Sequence, residues 1–201
     1  MDDNAIPHED VRGTWGSFSF ASSSGLEMAR AFARGDYPYP PIHHLTGLTP
    51  TEAGLGSMTF SMPVSEWFQD ASGIIWGGIY PLLVDAPISM SLFTGLPAGK
   101  ALTTSELSIN YLRPPTLNSG TLVGRARSVY LGREVGVAEA TVEDGRGRTL
   151  AHATTRCVIL DIPEEQLEMP EPEPVDTTLP DPYLRPIPQG ARTAESIQRD
   201  F

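Results

Sequence analysis

The chain of 201 residues has little cysteine, no long apolar run and few basic residues, and each shortage excludes a class of protein. A single cysteine, Cys157, excludes an internal disulfide and a cysteine-ligated metal cluster, and it favours a reducing cytoplasm. No apolar run reaches the roughly 18 residues that a membrane-spanning helix requires. The N-terminus, MDDNAIPHED, is acidic and polar, so we expect no signal peptide.

The net charge of −11 argues against a nucleic-acid partner, because phosphate backbones are bound by an excess of Lys and Arg. Most of this charge lies at the two ends of the chain. Residues 1–12 carry four acids and one arginine, and residues 161–201 carry ten acids, three arginines and eight of the 19 prolines. We therefore expect an N-terminal arm over 1–23, one domain over 24–160, and an extended or disordered acidic tail over 161–201.

Hydrophobic periodicity predicts a helix and a strand in the first part of the domain. Residues 24–35 have apolar positions at helical spacing between Ser24, a suitable cap, and Gly35, a suitable stop. The prolines at 38–42 predict an extended segment. Residues 55–62 alternate between apolar and polar side chains, which indicates a strand.

The longest apolar segment, residues 77–94, has a helical stripe. Pro81 is tolerated in its first turn, whereas we expect Pro87 to remove one backbone hydrogen bond. After this helix the period changes to two, which predicts four antiparallel neighbouring strands at 104–112, 121–131, 134–143 and 148–160. The order of elements predicts an α+β domain in which one antiparallel sheet wraps around one long central helix.

Several familiar catalytic patterns are missing from the sequence. There is no G-x-S-x-G nucleophile elbow, no P-loop and no dinucleotide-binding glycine pattern. Cys157 lies in a strand pattern and is interpreted as a core residue. His43 and His44 are adjacent, which is a poor spacing for a metal pair, so a surface or interface role is favoured. We predict no metal site and no cofactor.

The segment from Asp70 to Ser89 combines three features that suit acyl chemistry. Gly77 and Gly78 open the helix, so unpaired N–H groups at the positive end of the helix dipole are available to an anion or an oxyanion. Asp85 lies in an otherwise apolar helix, where a carboxylate is costly unless it is paired or used. Ser89 follows four residues later on the same face. From these residues alone, Asp85 is either catalytic or a structural residue at a subunit contact.

Segments spread over residues 24–160 together resemble the PaaI-like thioesterases, relatives of the 4-hydroxybenzoyl-CoA thioesterases in the hotdog-fold superfamily. The family pattern has an Asn or Gln, then G-x-x-H-G-G, then an acidic residue on the helix and a hydroxyl one turn later. The matching segments are Gly73-x-x-Trp76-Gly77-Gly78, Asp85, Thr104–Pro114 (TSELSINYLRP), Gly132-Arg133 and the sequence AHAT at 151–154.

The resemblance implies a single hotdog domain that hydrolyses an acyl-CoA thioester without a cofactor. Asp85 would be the nucleophile or general base, the N–H of Gly78 would stabilise the oxyanion, and Ser89 would orient water. The family also implies a homodimer or homotetramer with each site built across a subunit interface.

The sequence departs from the family pattern at two positions. Trp76 stands at the histidine position, where it would shape the loop or contact substrate next to Gly77. Asp70 stands at the Asn/Gln position. Two nearby carboxylates would repel and raise the pKa of one of them, so Asp70 is either a protonated donor to the substrate carbonyl or a second candidate base.

Residues 113–156 contain seven arginines and four acids, which suits a phosphorylated ligand such as CoA. Arg113 and Arg133 are the candidate CoA contacts, because the resembling family repeats Arg-Pro and Gly-Arg there. The leading hypothesis is therefore an acyl-CoA thioesterase. The alternatives are a non-catalytic acyl-CoA-binding or regulatory hotdog protein and, more distantly, a hotdog hydratase, whose histidine Trp76 would have displaced.

Overall fold

A single long helix, α3 (Ile79–Phe93), lies at the centre of the fold and packs against every strand of the sheet. It begins after Gly78, as the paired glycines predict, and continues through its internal proline. Leu83, Ile88 and Leu92 on its buried face have no exposed surface. Burial of such side chains contributes roughly 1.5–3 kcal/mol each to folding, so the helix is the main apolar element of the core.

Six antiparallel strands form one sheet around α3. The strands are β1 (Thr49–Gly54), β2 (Ser57–Pro63), β3 (Lys100–Tyr111), β4 (Thr121–Leu131), β5 (Val135–Glu143) and β6 (Thr149–Asp161). Their spatial order in the sheet is β1-β2-β4-β5-β6-β3. The large apolar side chains of β2 face inward, as their alternation predicts, and the observed α+β architecture is the predicted one.

The strand prediction is wrong in two respects. The first strand after α3, β3, pairs with β6 and not with β4. Strands β5 and β6 lie between β4 and β3 in the sheet. The sequence also failed to predict β1, whose segment TPTEAG is polar and contains a proline. Strand β1 lies at one edge of the sheet, where a proline is tolerated because the missing N–H is not needed for pairing.

Helix α1 (Gly25–Arg34) matches the sequence prediction closely. Ser24 accepts a hydrogen bond from the N–H of Glu27, whose carboxylate accepts from the N–H of Ser24, so the helix has a complete capping box. Gly35 ends the helix with a φ of 79°, a conformation that favours glycine.

Helix α2 (Pro41–Thr46) begins inside the stretch 38–42 that the prolines predicted to be extended, so that prediction is wrong for residues 41 and 42. Its first residue is a proline, which is tolerated because the first N–H of a helix needs no partner. His43 is 7% exposed and packs among Phe32, Tyr39 and Phe60, so the predicted surface role for His43 is wrong. Its burial in this aromatic cluster lowers the pKa of His43 to about 4.

The structure describes residues 18–37 and 39–167. The predictions made for the first 17 residues of the N-terminal arm and for residues 168–201 of the tail therefore concern segments outside the described residues. None of the helices between residues 18 and 167 has both the length and the hydrophobicity of a membrane-crossing helix.

Candidate active site

The N-terminus of α3 presents free backbone donors at the protein surface. Within the described part of the chain, no group accepts a hydrogen bond from the N–H of Gly77 or of Gly78. The N–H groups of Ile79 and Tyr80 are bonded to the carbonyls of Trp76 and Gly77, so the helix begins directly behind these donors. Free N–H groups at the positive end of a 15-residue helix are suited to stabilise an oxyanion.

The indole of Trp76 lies against this helix terminus. A Cβ atom at Gly78 would come within 2.5–2.7 Å of the Trp76 ring, so the ring occupies the space that a side chain there would fill. The backbone N–H of Trp76 donates to the carbonyl of Phe68 at 2.7 Å, which fixes the loop, while 65% of the residue stays exposed. Trp76 therefore both shapes the loop and presents an apolar surface beside the free donors.

A groove of about 320 Å³ extends from Gly77 to the segment that follows β3. Its walls include Tyr80 and Tyr111, whose rings meet edge to face with centroids 5.5 Å apart. The Tyr80 hydroxyl donates to the carbonyl of Arg113 at 2.6 Å, and burial raises the pKa of Tyr80 to about 12. The Arg113 guanidinium donates to the carbonyl of Thr149 and lines the same groove. The structure thus brings Arg113, Trp76, Gly77 and Gly78 to one end of α3. We call these four residues the cradle.

Asp85 lies two helical turns beyond the cradle, on the face of α3 that the sheet leaves uncovered. It is the one residue of the helix that is classed as exposed, and the residues around it on that face are half-buried. Its Oδ1 atom accepts a hydrogen bond from the Thr104 hydroxyl of β3 at 3.0 Å. Asp85 is therefore a carboxylate that is open to solvent on one side and oriented by a single hydroxyl on the other.

Sequence reasoning did not single out Thr104 as a site residue. The alternation of Leu107 and Ile109 continues to Ser105, which would place Ser105 and not Thr104 on the inner face. A β-bulge between Thr104 and Glu106 shifts the alternation by one residue, so that Thr104 and not Ser105 faces the helix. No sequence signal of a bulge is present here, although the hydroxyl-rich run TTS opposite the helix could have suggested a partner for Asp85.

Ser89 and Cys157 lie close to Asp85 in the fold. The Ser89 hydroxyl donates to the carbonyl of Asp85 at 2.6 Å, so its oxygen retains lone pairs that can accept from water. Cys157 pairs with Thr104 across β3 and β6 and has no exposed surface, as predicted for a core residue. Burial raises the pKa of the Cys157 thiol, and the nearby Asp85 carboxylate acts in the same direction.

Asp70 is used as a turn cap. Its Oδ1 atom accepts hydrogen bonds from the hydroxyl and the N–H of Ser72 and from the N–H of Ile74, at 2.5–3.1 Å. These bonds, led by the one from the Ser72 hydroxyl, lower the pKa of Asp70. A lowered pKa favours the ionised form of Asp70, whereas the protonated donor expected from the sequence would need a raised one.

Arg133 is not brought to the cradle within one chain. It lies in the turn between β4 and β5, where its guanidinium bonds Glu134 and is almost fully exposed. Leu131 beside this turn contacts Gly95, just past the C-terminal end of α3, so Arg133 lies at the opposite end of the helix from Gly78. Between residues 18 and 167, leaving aside residue 38, no group of three or more His, Cys, Asp or Glu side chains is arranged to hold a metal ion.

Two sequence comparisons relate this chain to known proteins. The model of the thioesterase superfamily matches residues 72–151, which include the cradle, Asp85 and the first residues of β6. The proofreading thioesterase EntH of Klebsiella pneumoniae subsp. pneumoniae is 29% identical over 107 residues, covering 53% of this chain and 76% of the relative.

Solved structures share the fold. A putative thioesterase from Ralstonia eutropha JMP134, described as related to phenylacetic acid degradation, superposes with a TM-score of 0.58 at 26% identity, covering 65% of this chain and 98% of its own. The PaaI protein of Escherichia coli gives a TM-score of 0.59 at 20% identity, covering 70% of this chain and all of its own. At that identity the second likeness shows the fold alone.

Proposed function

This chain belongs to the thioesterase superfamily and has its hotdog fold, and from that premise we propose that it hydrolyses an acyl-CoA thioester with Asp85 as nucleophile or general base. Thioester hydrolysis is the chemistry of the family; the acyl-CoA substrate and the mechanism are the proposal. The observation that carries it is the exposed Asp85 carboxylate held by the Thr104 hydroxyl. A carboxylate fixed by one donor and otherwise open can attack or activate water.

The proposed reaction has two possible routes. In the first, Asp85 removes a proton from a water molecule whose oxygen attacks the thioester carbonyl carbon. In the second, the carboxylate attacks that carbon itself, and water then hydrolyses the resulting anhydride. In both routes the C–S bond breaks, the thiolate leaves and takes up a proton, and the products are a carboxylic acid and free CoA.

The remaining predicted residues have supporting roles in this proposal. The free N–H of Gly78 stabilises the negative charge that develops on the carbonyl oxygen. Ser89 accepts a hydrogen bond from the attacking water. Asp70 holds the loop that leads to Gly77 and Trp76, a structural role that its three turn bonds favour over the base role left open by the sequence.

We further propose that the site is completed by a second copy of the chain. Gly78 and Asp85 are seven residues apart on one helix, a rise of about 10 Å, whereas one reacting carbonyl must lie about 3 Å from both groups. A partner's Asp85 placed beside this chain's Gly78 removes that conflict. Strand β3, which pairs only with β6 among the described strands, leaves an open edge near Asp85 for such a partner.

CoA is proposed to approach the cradle. Arg113 is the candidate phosphate contact within the chain, because it lines the groove beside Gly77 and is exposed. Arg133 would contact the same ligand only from another copy, since it lies at the far end of α3. Three other arginines of this region are less available, because Arg125, Arg127 and Arg148 form ion pairs with Glu52, Glu139 and Asp144. We place this activity in the cytoplasm, as the single cysteine suggests.

Thiol release from short, long and aromatic acyl-CoAs tests the function. We expect turnover by the wild type, loss of turnover in Asp85→Ala, and retention in Asp70→Asn, which keeps the turn cap's shape and its acceptor oxygen. Turnover by the wild type no higher than that of Asp85→Ala would contradict hydrolysis. Tight binding of acyl-CoA in the same samples would then favour the alternative, a non-catalytic acyl-CoA-binding protein.

A further inference from the structure

The bulge in β3 is stabilised by one side chain of β3 itself and one of its neighbour β6. Thr104 pairs with Cys157 and Glu106 pairs with Arg156, so Ser105 is the extra residue. The Ser105 hydroxyl donates to the carbonyl of Arg156 at 2.9 Å. Because such bonds are additional to the strand ladder, they stabilise the bulge itself.

The buried member of this closure is Thr155 of β6. It is 3% exposed, and its hydroxyl donates to the carbonyl of Glu106 at 2.7 Å. This bond ties the side chain of Thr155 directly to the displaced backbone of the bulge, so the Thr155 hydroxyl supports that backbone. Thr155 bonds neither Asp85 nor any cradle residue among the described hydrogen bonds.

The bulge decides which hydroxyl reaches Asp85. A regular strand running back from Leu107 would turn Ser105 inward and Thr104 outward. With one extra residue, Thr104 is half-buried and bonds Asp85, while Ser105 is exposed. β-Bulges often lie beside active sites, where they redirect a side chain.

We propose that Thr155 is a positioning residue for the hydrolysis: its hydroxyl holds the bulge at Ser105, the bulge directs Thr104, and Thr104 orients the Asp85 carboxylate. This inference rests on the proposed function for its catalytic consequence. Its structural consequence, the state of Asp85, can be measured whether or not the protein turns over a given substrate.

The principal test is Thr155→Val, which keeps the β-branched shape and removes only the donor. We expect kcat to fall about tenfold with KM unchanged, because displacement of a catalytic group lowers the rate without weakening substrate binding. Thr155→Ser keeps the hydroxyl and should restore kcat. Thr154→Val is the matched control: it makes the same change one residue away on the exposed face of β6, and wild-type kinetics are expected.

A second variant protects the test against a folding defect in Thr155→Val. Ser105 is exposed, so Ser105→Ala can be made without opening the core. It removes the other hydroxyl that closes the bulge, and we expect kcat to fall about threefold with an unchanged melting temperature, since substitutions of exposed residues usually change stability little.

Carbon-13 NMR of the Asp85 carboxyl provides the readout that is independent of turnover. Loss of the Thr104 hydrogen bond changes the surroundings of the carboxyl carbon, so its chemical shift at pH 7 in Thr155→Val should differ from that in the wild type and in Thr154→Val. If the wild type cleaves no acyl-CoA, the proposed function fails while this chemical shift still decides the role of Thr155.

Three results would overturn the proposal. The first is an Asp85 carboxyl chemical shift that is the same in the wild type and in folded Thr155→Val. The second is wild-type kcat in both Thr155→Val and Ser105→Ala. The third is a fall in kcat with no change in the Asp85 chemical shift, because the effect would then bypass Thr104.

Discussion

The hydroxyl of Thr104 is the only side-chain donor to Asp85 among the described hydrogen bonds, and the behaviour of this carboxylate depends on it. A charged carboxylate that accepts a hydrogen bond is favoured over its protonated form, and its rotamer is restricted. Both effects suit a group that must be ionised and aimed at a carbonyl carbon.

Replacing Thr104 by Val should therefore lower kcat by about tenfold with KM unchanged, because Asp85 loses the hydroxyl that orients its carboxylate. Thr104→Ser keeps the hydroxyl and should retain the wild-type kcat. Steady-state thiol release checks this, and equal kcat values for Thr104→Val and the wild type would show that Asp85 does not depend on the hydroxyl.

Helices α1 and α2 are joined to the sheet by the aromatic cluster around His43. The imidazole stacks on Tyr39 and meets Phe32 and Phe60 edge to face, and its Nδ1 atom is buried without a hydrogen-bond partner among the described residues. A protonated imidazole is poorly accommodated there. The folded state therefore favours neutral His43.

This burial predicts a dependence of stability on pH. His43 titrates near 6.5 when unfolded and at about 4 when folded, so its stabilising contribution is complete above pH 6.5 and is lost as the pH falls towards 4. Between pH 7 and pH 5 the free energy of unfolding should fall by about 2 kcal/mol from this residue. Carboxylates with lowered pKa values, such as Asp70, stay ionised in that range.

Urea unfolding at pH 7 and pH 5 measures this effect. His43→Phe keeps an aromatic ring in the cluster and should remove most of the difference between the two pH values. His152→Gln changes a half-buried histidine on the outer face of β6 and should leave it in place. A His43→Phe variant with the full wild-type difference would assign the pH dependence to other groups.

The molecule as a whole separates the proposed catalytic groups into two parts. The cradle lies at the N-terminus of α3, and Asp85 with Ser89 and Thr104 lies about two turns further along. The half-buried face around Asp85 and the open edge of β3 are the surfaces that a second copy would cover.

Subunit mixing tests this arrangement. Gly78→Pro removes the proposed oxyanion donor at a position whose φ of −61° suits proline, and Asp85→Ala removes the carboxylate. Each homodimer should be inactive, whereas co-expressed chains should form mixed dimers with one intact site and recover about a quarter of wild-type activity. Gly78→Ala, which keeps the N–H, controls for crowding of Trp76. No recovery in purified mixed dimers would place each site within one chain.

The sequence by itself determined the α+β class, the central helix with its glycine start, the capped α1 and the position of the candidate carboxylate. These features depend on local periodicity, capping residues and motif spacing, which are properties of neighbouring residues along the chain. Only the tertiary structure decided that β3 pairs with β6, that Thr104 and not Ser105 reaches Asp85, and that Arg133 lies far from the cradle. Each of these depends on residues tens of positions apart or on one extra residue in a strand, and neither leaves a periodic signal in the sequence.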